Sequence, residues 1–419
     1  MRIFFILFFI VIINNSSRAQ MASIFDQEIL GATKTRIGIS GDYDINSNTI
    51  TNSFLKKFYT GGYIDNEFKK SASDRLKNSN RIGGNVNVGV YGSFKLNSIN
   101  NSKEISLFFA VKDRTHIDAQ FSRDFFNIGF YGNSKFAGKT ADLNDFSLNF
   151  IRYQQLQMGV FSSKLDSAAR WGIGISFLKG EQYLSVLAKK AELYTSEDGQ
   201  YIDFTTDMFI AKSDAAKNGL GAVNGFGSSV DLFFEAPFKT RMGNSYLRLS
   251  VSDIGFINFN KKTLTLEQDS IFHFTGFQIN NFSDLHDSTF GAKSKDSILN
   301  GVAPFKKQSF SATLPAVLDF NFETHFSKYF HLTEGFRYVF NGNYSLLVYL
   351  KSNFYFNPKF MLSLTLGYGG YGNLNYGIGL KANLGNGFLI YAGSNNIEGY
   401  ISPKNTGGQG VFFSLGKQF

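Results

Sequence analysis

Residues 344–356 read Tyr-Ser-Leu-Leu-Val-Tyr-Leu-Lys-Ser-Asn-Phe-Tyr-Phe, and they sort by parity. Tyr344, Leu346, Val348, Leu350, Ser352, Phe354 and Phe356 occupy even positions, whereas Ser345, Leu347, Tyr349, Lys351, Asn353 and Tyr355 occupy odd ones. After Pro358 the pattern restarts: Phe360, Leu362, Leu364, Leu366 and Tyr368 alternate with Ser363, Thr365, Gly367 and Gly369. It restarts again beyond the glycine-rich turn, where Leu374, Tyr376, Ile378, Leu380 and Leu384 oppose Asn375, Gly377, Gly379, Lys381 and Asn383. A period of two denotes extended strands with one apolar and one polar face. Soluble sandwich strands also alternate, but they run to about five or six residues and carry a β-branched core. These strands are about twice that length, as a membrane-spanning barrel wall requires. In hydrocarbon every backbone N–H and C=O must be paired, and strands achieve this only in a closed sheet. The reading is an all-β membrane protein, an antiparallel transmembrane β-barrel.

Both chain ends agree. Arg2 precedes the apolar run Ile3–Ile13, followed by polar Asn14–Arg18 and the small-residue pair Ser17-x-Ala19. This is the pattern of a cleaved secretory signal over 1–19, with the mature chain starting at Gln20. The apolar run, about eleven residues, is too short for a membrane helix of about twenty. Losing Arg2 and Arg18 lowers the formal net charge from +9 to +7. The C-terminal Val411, Phe413, Leu415 and Phe419 share a face interrupted by Lys417. Ending on Phe419, this strand resembles the assembly signal of bacterial outer-membrane barrels, and implies outer-membrane lipid and the outer-membrane assembly machinery as partners. The expected location is the outer membrane of a Gram-negative bacterium.

The composition fits: Phe 48, Tyr 20 and Gly 42 suit aromatic girdles and tight turns. Zero cysteines exclude disulfides and thiolate metal sites. The pI near 9.3 would permit nucleic-acid binding, but no basic helix or aromatic-basic motif accompanies it, so no nucleic-acid partner is expected.

Residues 20–79 depart from the wall pattern. Thr35–Tyr43 reads as a short strand, but Ser53–Tyr59 and Tyr63–Lys77 read as helices, the second with Ile64, Phe68, Ala72 and Leu76 every four residues. Two placements suit such a helix: a plug inside the barrel or a helix on its periplasmic rim. The plug is the preferred expectation, with Lys69, Lys70 and Arg75 meeting Asp319 and Glu323 in the lumen. The barrel proper is then 80–419, with candidate strands including Ser106–Lys112, His116–Phe121, Asp124–Tyr131, Arg170–Lys179 and Gln182–Tyr194. Asn281–Phe305 reads as a long loop. Along Ser309–Phe326, Phe310, Ala312, Leu314, Ala316, Leu318, Phe320 and Phe322 are expected on one face; Asp319, Glu323 and His325 fall on the lumenal one. With Phe419 periplasmic, Asn395–Gln409, Gly369–Gly372 and Asn341–Asn343 lie outside, while Gly385–Gly387, Asn357-Pro358 and Lys328-Tyr329 are periplasmic turns.

No chemistry stands out. Gly367–Gly372 matches G-x-G-x-x-G, but a strand follows where a dinucleotide site needs a helix. The histidines His116, His273, His286, His325 and His331 show no ligand spacing, and His325 reads as a pore-lining polar group. Asp284, Asp287 and Asp296 lack the regularity of a calcium loop. No catalytic residue, cofactor or metal is expected, nor enzymatic activity.

Two resemblances follow. Ala312-Thr313-Leu314-Pro315-Ala316-Val317-Leu318 resembles the Leu-Pro strand of FadL-type hydrophobic-compound channels. A proline within a strand removes a ladder bond and marks a kink, here at Pro315. That likeness implies about fourteen strands (the range ~12–16 suits the chain) and an N-terminal plug. Asn80–Val86, Ile105–Lys112 and Ser250–Ile257 are similar to a family of Bacteroidota outer-membrane proteins without assigned chemistry. The first resemblance implies a passive conduit for a hydrophobic or amphipathic small molecule. The second implies a non-catalytic, partner-binding barrel of a surface secretion or motility complex.

Overall fold

The computed structural model describes residues 35–96, 105–162, 169–214, 219–275 and 305–419. The leader over 1–19 and the loop over 281–304 lie outside them. The wall begins with β1 (Arg36–Ser47), β2 (Ser79–Lys95) and β3 (Ile105–Ser122). After the short β4 (Lys139–Asp142) come β5 (Phe146–Ser162), β6 (Arg170–Thr195), β7 (Ile202–Lys212), β8 (Gly225–Thr240), β9 (Gly243–Phe259) and β10 (Leu264–Phe274). Then follow β11 (Lys306–Lys307), β12 (Phe310–Thr313), β13 (Val317–His325), β14 (Phe330–Val339) and β15 (Ser345–Asn357). The last four are β16 (Phe360–Gly370), β17 (Leu374–Gly385), β18 (Phe388–Ser394) and β19 (Gln409–Gln418). Among the described residues four α-helices accompany them: α1 (Asn52–Tyr59), α2 (Asn66–Arg75), α3 (Arg123–Tyr131) and the single turn α4 (Glu398–Ile401).

The sheet closes as an antiparallel barrel of 14 strands when β12 and β13 are taken as one interrupted strand and β4, β7, β10 and β11, which pair outside the ring, are set aside. Closure falls on β1, which pairs with β2 on one side (Ile39↔Val90) and β19 on the other (Gly38↔Gly416). No helix among the described residues is long and apolar enough to cross a membrane. Outward positions carry an exposed apolar belt that runs through Ile39, Val90, Val111, Ile175, Leu364 and Leu415. Strand directions put the tight turns 327–329, 357–359 and 385–387 at the end that holds Phe419. In the 385–387 turn all three residues take positive φ, +88°, +48° and +79°, which Gly-Asn-Gly supplies with little strain. The connections that carry the four helices lie at the opposite end.

The wall departs from a plain cylinder in two places. β6 has 26 residues, far more than the nine to eleven or so that a bilayer needs. Its first part, Arg170–Gly180, pairs with β8, and its second, Leu184–Thr195, pairs with β7, which pairs with β10. The sheet therefore forks above Gly180 and projects beyond the apolar belt. The stretches Ser106–Lys112 and His116–Phe121 form one strand, as do Arg170–Lys179 and Gln182–Tyr194. Asp124–Tyr131 is helix rather than strand: the Ser122 side chain caps Phe125 N–H and Asp124 lies in the first turn.

Over its described part, 35–79, the segment expected to plug the lumen instead contributes wall and an outer connection, and the barrel begins at Arg36 rather than 80. β1 is a wall strand, and α1 and α2 form the connection from β1 to β2 at the end remote from Phe419. They pack on the outside of the wall. Lumenal side chains are even on β1 and β3 and odd on β2 and β5, as Asp44, Arg114, Asn87 and Tyr153 show. Phe54, Leu55, Ala72 and Leu76 instead join Ile45, Ile82, Phe121 and Leu148, which have the opposite parity. Phe54 stacks on Phe68 at 5.8 Å and meets Phe126 and Phe130 of α3 at 5.5 and 5.2 Å. Each large side chain buried there contributes about 1.5–3 kcal/mol, so the wall above the belt acts as the core of a water-exposed lobe.

The two faces of β16 give the first test. Leu364 is 44 % exposed on the outer face, whereas Thr365 lines the lumenal cavity. A cation on the lipid face costs about 2–4 kcal/mol near the midplane. Leu364→Arg should therefore abolish the heat-modifiable folded band on gels, while Thr365→Arg keeps it; equal loss in both would contradict this register.

Candidate functional site

The barrel encloses a cavity of about 460 Å³, lined at its centre by Lys112, Arg114, Tyr153, Asp231 and Asp253. Alternation alone delivers most of these groups, since one side chain in two points inward. Asp253 arrives differently. It takes φ +61° at a bulge where β8 and β9 shift register between Val230 and Leu232. Both Ser252 and Asp253 consequently line the lumen, and parity reverses beyond them: Ile254 is 46 % exposed outside, Ile257 wholly buried. The neighbouring strand reverses too. β12 and β13 part at Leu314-Pro315-Ala316, so Ala312 and Leu314 pack with Tyr153, Ile257 and Phe259, while Asp319 and Glu323 stay lumenal. The expectation that Phe310 through Phe322 keep one face is thereby corrected: a Pro lacks the N–H that a continuous ladder would use.

At the bulge Arg114 Nη1 donates to both Asp253 carboxylate oxygens at 2.6 Å and to Gln155 Oε1 at 3.2 Å. Its Nε donates to Asn87, which donates to Asp42. Asp253 N–H donates to Asp231 Oδ1 at 2.7 Å, and Gln157 donates to Asp231 Oδ2. The chain of partners crosses β1, β2, β3, β5, β8 and β9. Buried charge is costly unless paired, and here each carboxylate has a donor.

A second ladder runs lower on the wall. Glu235 pairs with Arg170 at 2.6 Å and Arg248 at 2.5 Å, and Arg248 Nη1 reaches Glu323 Oε2 at 2.9 Å. Thr333 donates to the same Glu323 oxygen at 3.2 Å. Glu323 Oε1 faces His325 Nε2 at 2.5 Å and His331 Nδ1 at 3.9 Å. Of the side chains expected to act in the lumen, Asp319, Glu323 and His325 do share this wall. Asp319 is held by Tyr349 OH at 3.0 Å, Asn321 and Arg337.

Lys69, Lys70 and Arg75 do not meet them. Lys69 Nζ lies 6.0 Å from the Tyr131 ring centre, Lys70 is exposed, and Arg75 donates to Asn405 at 3.1 and 3.3 Å. Because α2 sits on the outer wall, its charges reach loops and solvent while the lumenal acids take partners from adjacent strands.

Loops at the end opposite Phe419 fold inward over the lumen. Asn343 Nδ2 donates across the barrel to Asp118 Oδ1 at 2.5 Å and Ser147 Oγ at 2.8 Å. Tyr371 OH lies 3.3 Å from His116 Nε2, which contacts Asp118 at 3.1 Å. Arg81 donates to the Tyr371 and Gly372 carbonyls, and Asn373 to Asn48 O. The Tyr371 ring lies flat on Gly83, where a Cβ would come within 2.4 Å of ring carbons, so only glycine admits it. In the adjoining loop, burial pushes the Glu398 carboxyl above its ordinary range, though Tyr376 N–H donates to it at 3.0 Å.

Sequence reasoning missed Arg114, Asp253 and His331. The first two required knowledge of the bulge, whose only trace is polar Ser250, Ser252 and then Asp253, a break in parity. His331 was readable: with a turn at Lys328-Tyr329 it lies directly opposite His325.

The bulge supports a stability test. Asp253→Asn keeps a residue that tolerates positive φ but removes the charge paired with Arg114, and should cost about 1.5–3 kcal/mol. Asp253→Ala adds left-handed strain and should cost ~1 kcal/mol more. Urea midpoints of the refolded barrel check the order; equal midpoints for both variants would exclude strain, and wild-type midpoints would exclude the ion pair.

No curated protein matches the sequence. Among solved structures, the TodX deltaS2S3 mutant monoaromatic hydrocarbon channel is similar at TM-score 0.46 and 9% identity, over 97% of both chains. The P. putida toluene transporter TodX gives 0.43 and 8%, over 94% of this chain and 93% of that one. The Ralstonia pickettii toluene transporter TbuX gives 0.42 and 8%, over 92% and 90%. In sequence, the "Family of unknown function (DUF5723)" matches residues 32–395, and the chain belongs to that family.

Proposed function

We propose that the barrel is a passive conduit for small amphipathic molecules across the outer membrane. The observation that carries this reading is the lumenal cavity running up to the interrupted wall at Leu314–Ala316. There the β9 ladder passes from Phe256↔Thr313 to Ser252↔Val317, with a single backbone bond, Leu314 N–H to Gly255 O at 3.0 Å, across the gap. A wall so thinly bonded is where a molecule can pass between lumen and lipid, as the resemblance to FadL-type channels implies. The lining suits a solute with two characters: Tyr344, Tyr349, Tyr391 and Phe412 offer ring faces, and the paired charges offer polar contacts without a net field.

A second reading has its own observation. The lobe of α1–α3 and the forked strands stands beyond the belt, with Tyr63 85 % exposed, which favours a partner-binding barrel. Liposome uptake separates the two. Reconstituted barrel should admit medium-chain fatty acids or monoaromatics faster than protein-free vesicles. The Asn343→Ala/Tyr371→Ala double variant, which unties the inward loops, should raise the rate several-fold. No uptake by either protein, with a stable co-purifying partner, would overturn the conduit in favour of the second reading.

A further inference from the structure

The lower lumen carries a group of side chains that the conduit does not require. Glu323 and His325 stand two residues apart on β13, hence on one face, and His331 of β14 is the direct cross-strand partner of His325. Together the three offer two imidazole nitrogens and one carboxylate oxygen, all within 4.8 Å of one another. Their side chains are 5 %, 28 % and 15 % exposed, so an ion entering from the short-turn end can reach them.

The division of labour within Glu323 is informative. One oxygen, Oε2, is taken by Arg248 at 2.9 Å and Thr333 at 3.2 Å. The other, Oε1, is turned toward both imidazoles. A carboxylate oriented by one oxygen and presented by the other is the arrangement that outer-shell partners impose on metal ligands. The imidazoles are oriented too. His325 and His331 stack at 3.6 Å and 9°, between Tyr246 at 4.9 Å and Tyr355 at 4.6 Å. Four rings on four adjacent strands restrict the rotation of the two that matter. Parallel face-to-face stacking is not what ring quadrupoles prefer. The strands impose it.

We propose that Glu323, His325 and His331 bind one divalent transition-metal ion, zinc being the best match. Two imidazoles and one carboxylate on a rigid sheet form a three-ligand zinc set with an open fourth position. Nitrogen donors favour such ions over magnesium or calcium. Binding requires the His325 Nε2 to Glu323 Oε1 contact to open by under 1 Å or so, since each ligand atom sits about 2.0–2.2 Å from zinc. The site clamps the β13–β14 hairpin where the Arg170–Glu235–Arg248 ladder ends, and it stands whether or not the barrel conducts.

The test uses the full chain refolded in detergent and stripped by chelator, titrated with Zn²⁺ and separately with Co²⁺. One equivalent of each should bind, with Co²⁺ giving the visible absorption of a nitrogen- and oxygen-ligated ion. His325→Gln and His331→Gln should each weaken binding at least about tenfold and remove the Co²⁺ band, as loss of a direct ligand exceeds the outer-shell effect of ~10–100-fold. His273→Gln, an exposed histidine paired with Asp203, should change nothing. Absence of binding by the wild-type chain would overturn the proposal. So would undiminished binding by His331→Gln whose heat-modifiable mobility shows it folded.

Discussion

Backbone pairing in hydrocarbon governs this molecule. An unpaired N–H or C=O costs several kcal/mol where there is no water to take its place, so the sheet must return on itself. The strand that completes the circle, β1, comes from the stretch whose sequence looks least like wall. Its ten bridges to β19, from Arg36↔Gln418 to Ile45↔Gln409, tie the two ends of the barrel sequence together. Removing residues 20–79 would leave β2 and β19 as open edges in lipid, an arrangement membranes do not tolerate. This is why the segment cannot be a detachable plug.

Closure then forces a consequence on the inside. Strand alternation sends every second side chain into the lumen, and many of these are charged. The charges pair in two ways: Arg248 laterally with both Glu235 and Glu323, and Arg114 across the lumen with Asp253. The Arg248 pairs join strands that share a ladder, β9 with β8 and β13, whereas Arg114 of β3 and Asp253 of β9 stand on strands that do not pair. Where the register breaks, at Asp253 and at Leu314–Ala316, the breaks stand side by side on adjacent strands. One parity reversal beside another keeps β9 and β12 in phase, and it turns Ile257 and Leu314 inward together.

Barrel, strand direction and the turns at both ends were legible from residues 309–419 because period-two alternation is a local property. Three things were not. The fork of β6 was invisible because Gln182–Tyr194 alternates as wall does, yet its partner is β7 instead of β8. The Asp253 bulge inserts one residue, and a single extra polar position in a sequence rich in Ser and Asp leaves almost no signal. The helix α3 read as strand since Asp124–Tyr131 mixes aromatics with polar residues at both spacings, and the Ser122 cap decides between them.

The placement of α1 and α2 turns on which apolar surface was in need of cover. Amphipathicity tells a helix to bury one stripe and is silent about where. Inside, the available surface is charged and already paired, so an apolar stripe there would strand the lumenal acids or itself. Outside, above the belt, Ile45, Ile82, Phe121 and Leu148 continue the apolar outer face of the wall into water, where lipid no longer covers them. A helix laid on that face buries both surfaces at once, whereas a helix in the lumen buries neither. The same reasoning folds the loops at Asn343 and Tyr371 inward, where their polar groups find Asp118 and His116 on the lumenal face. Apolar connections fold outward over apolar wall and polar connections fold inward over polar wall; the parity of the strands beneath decides which is which.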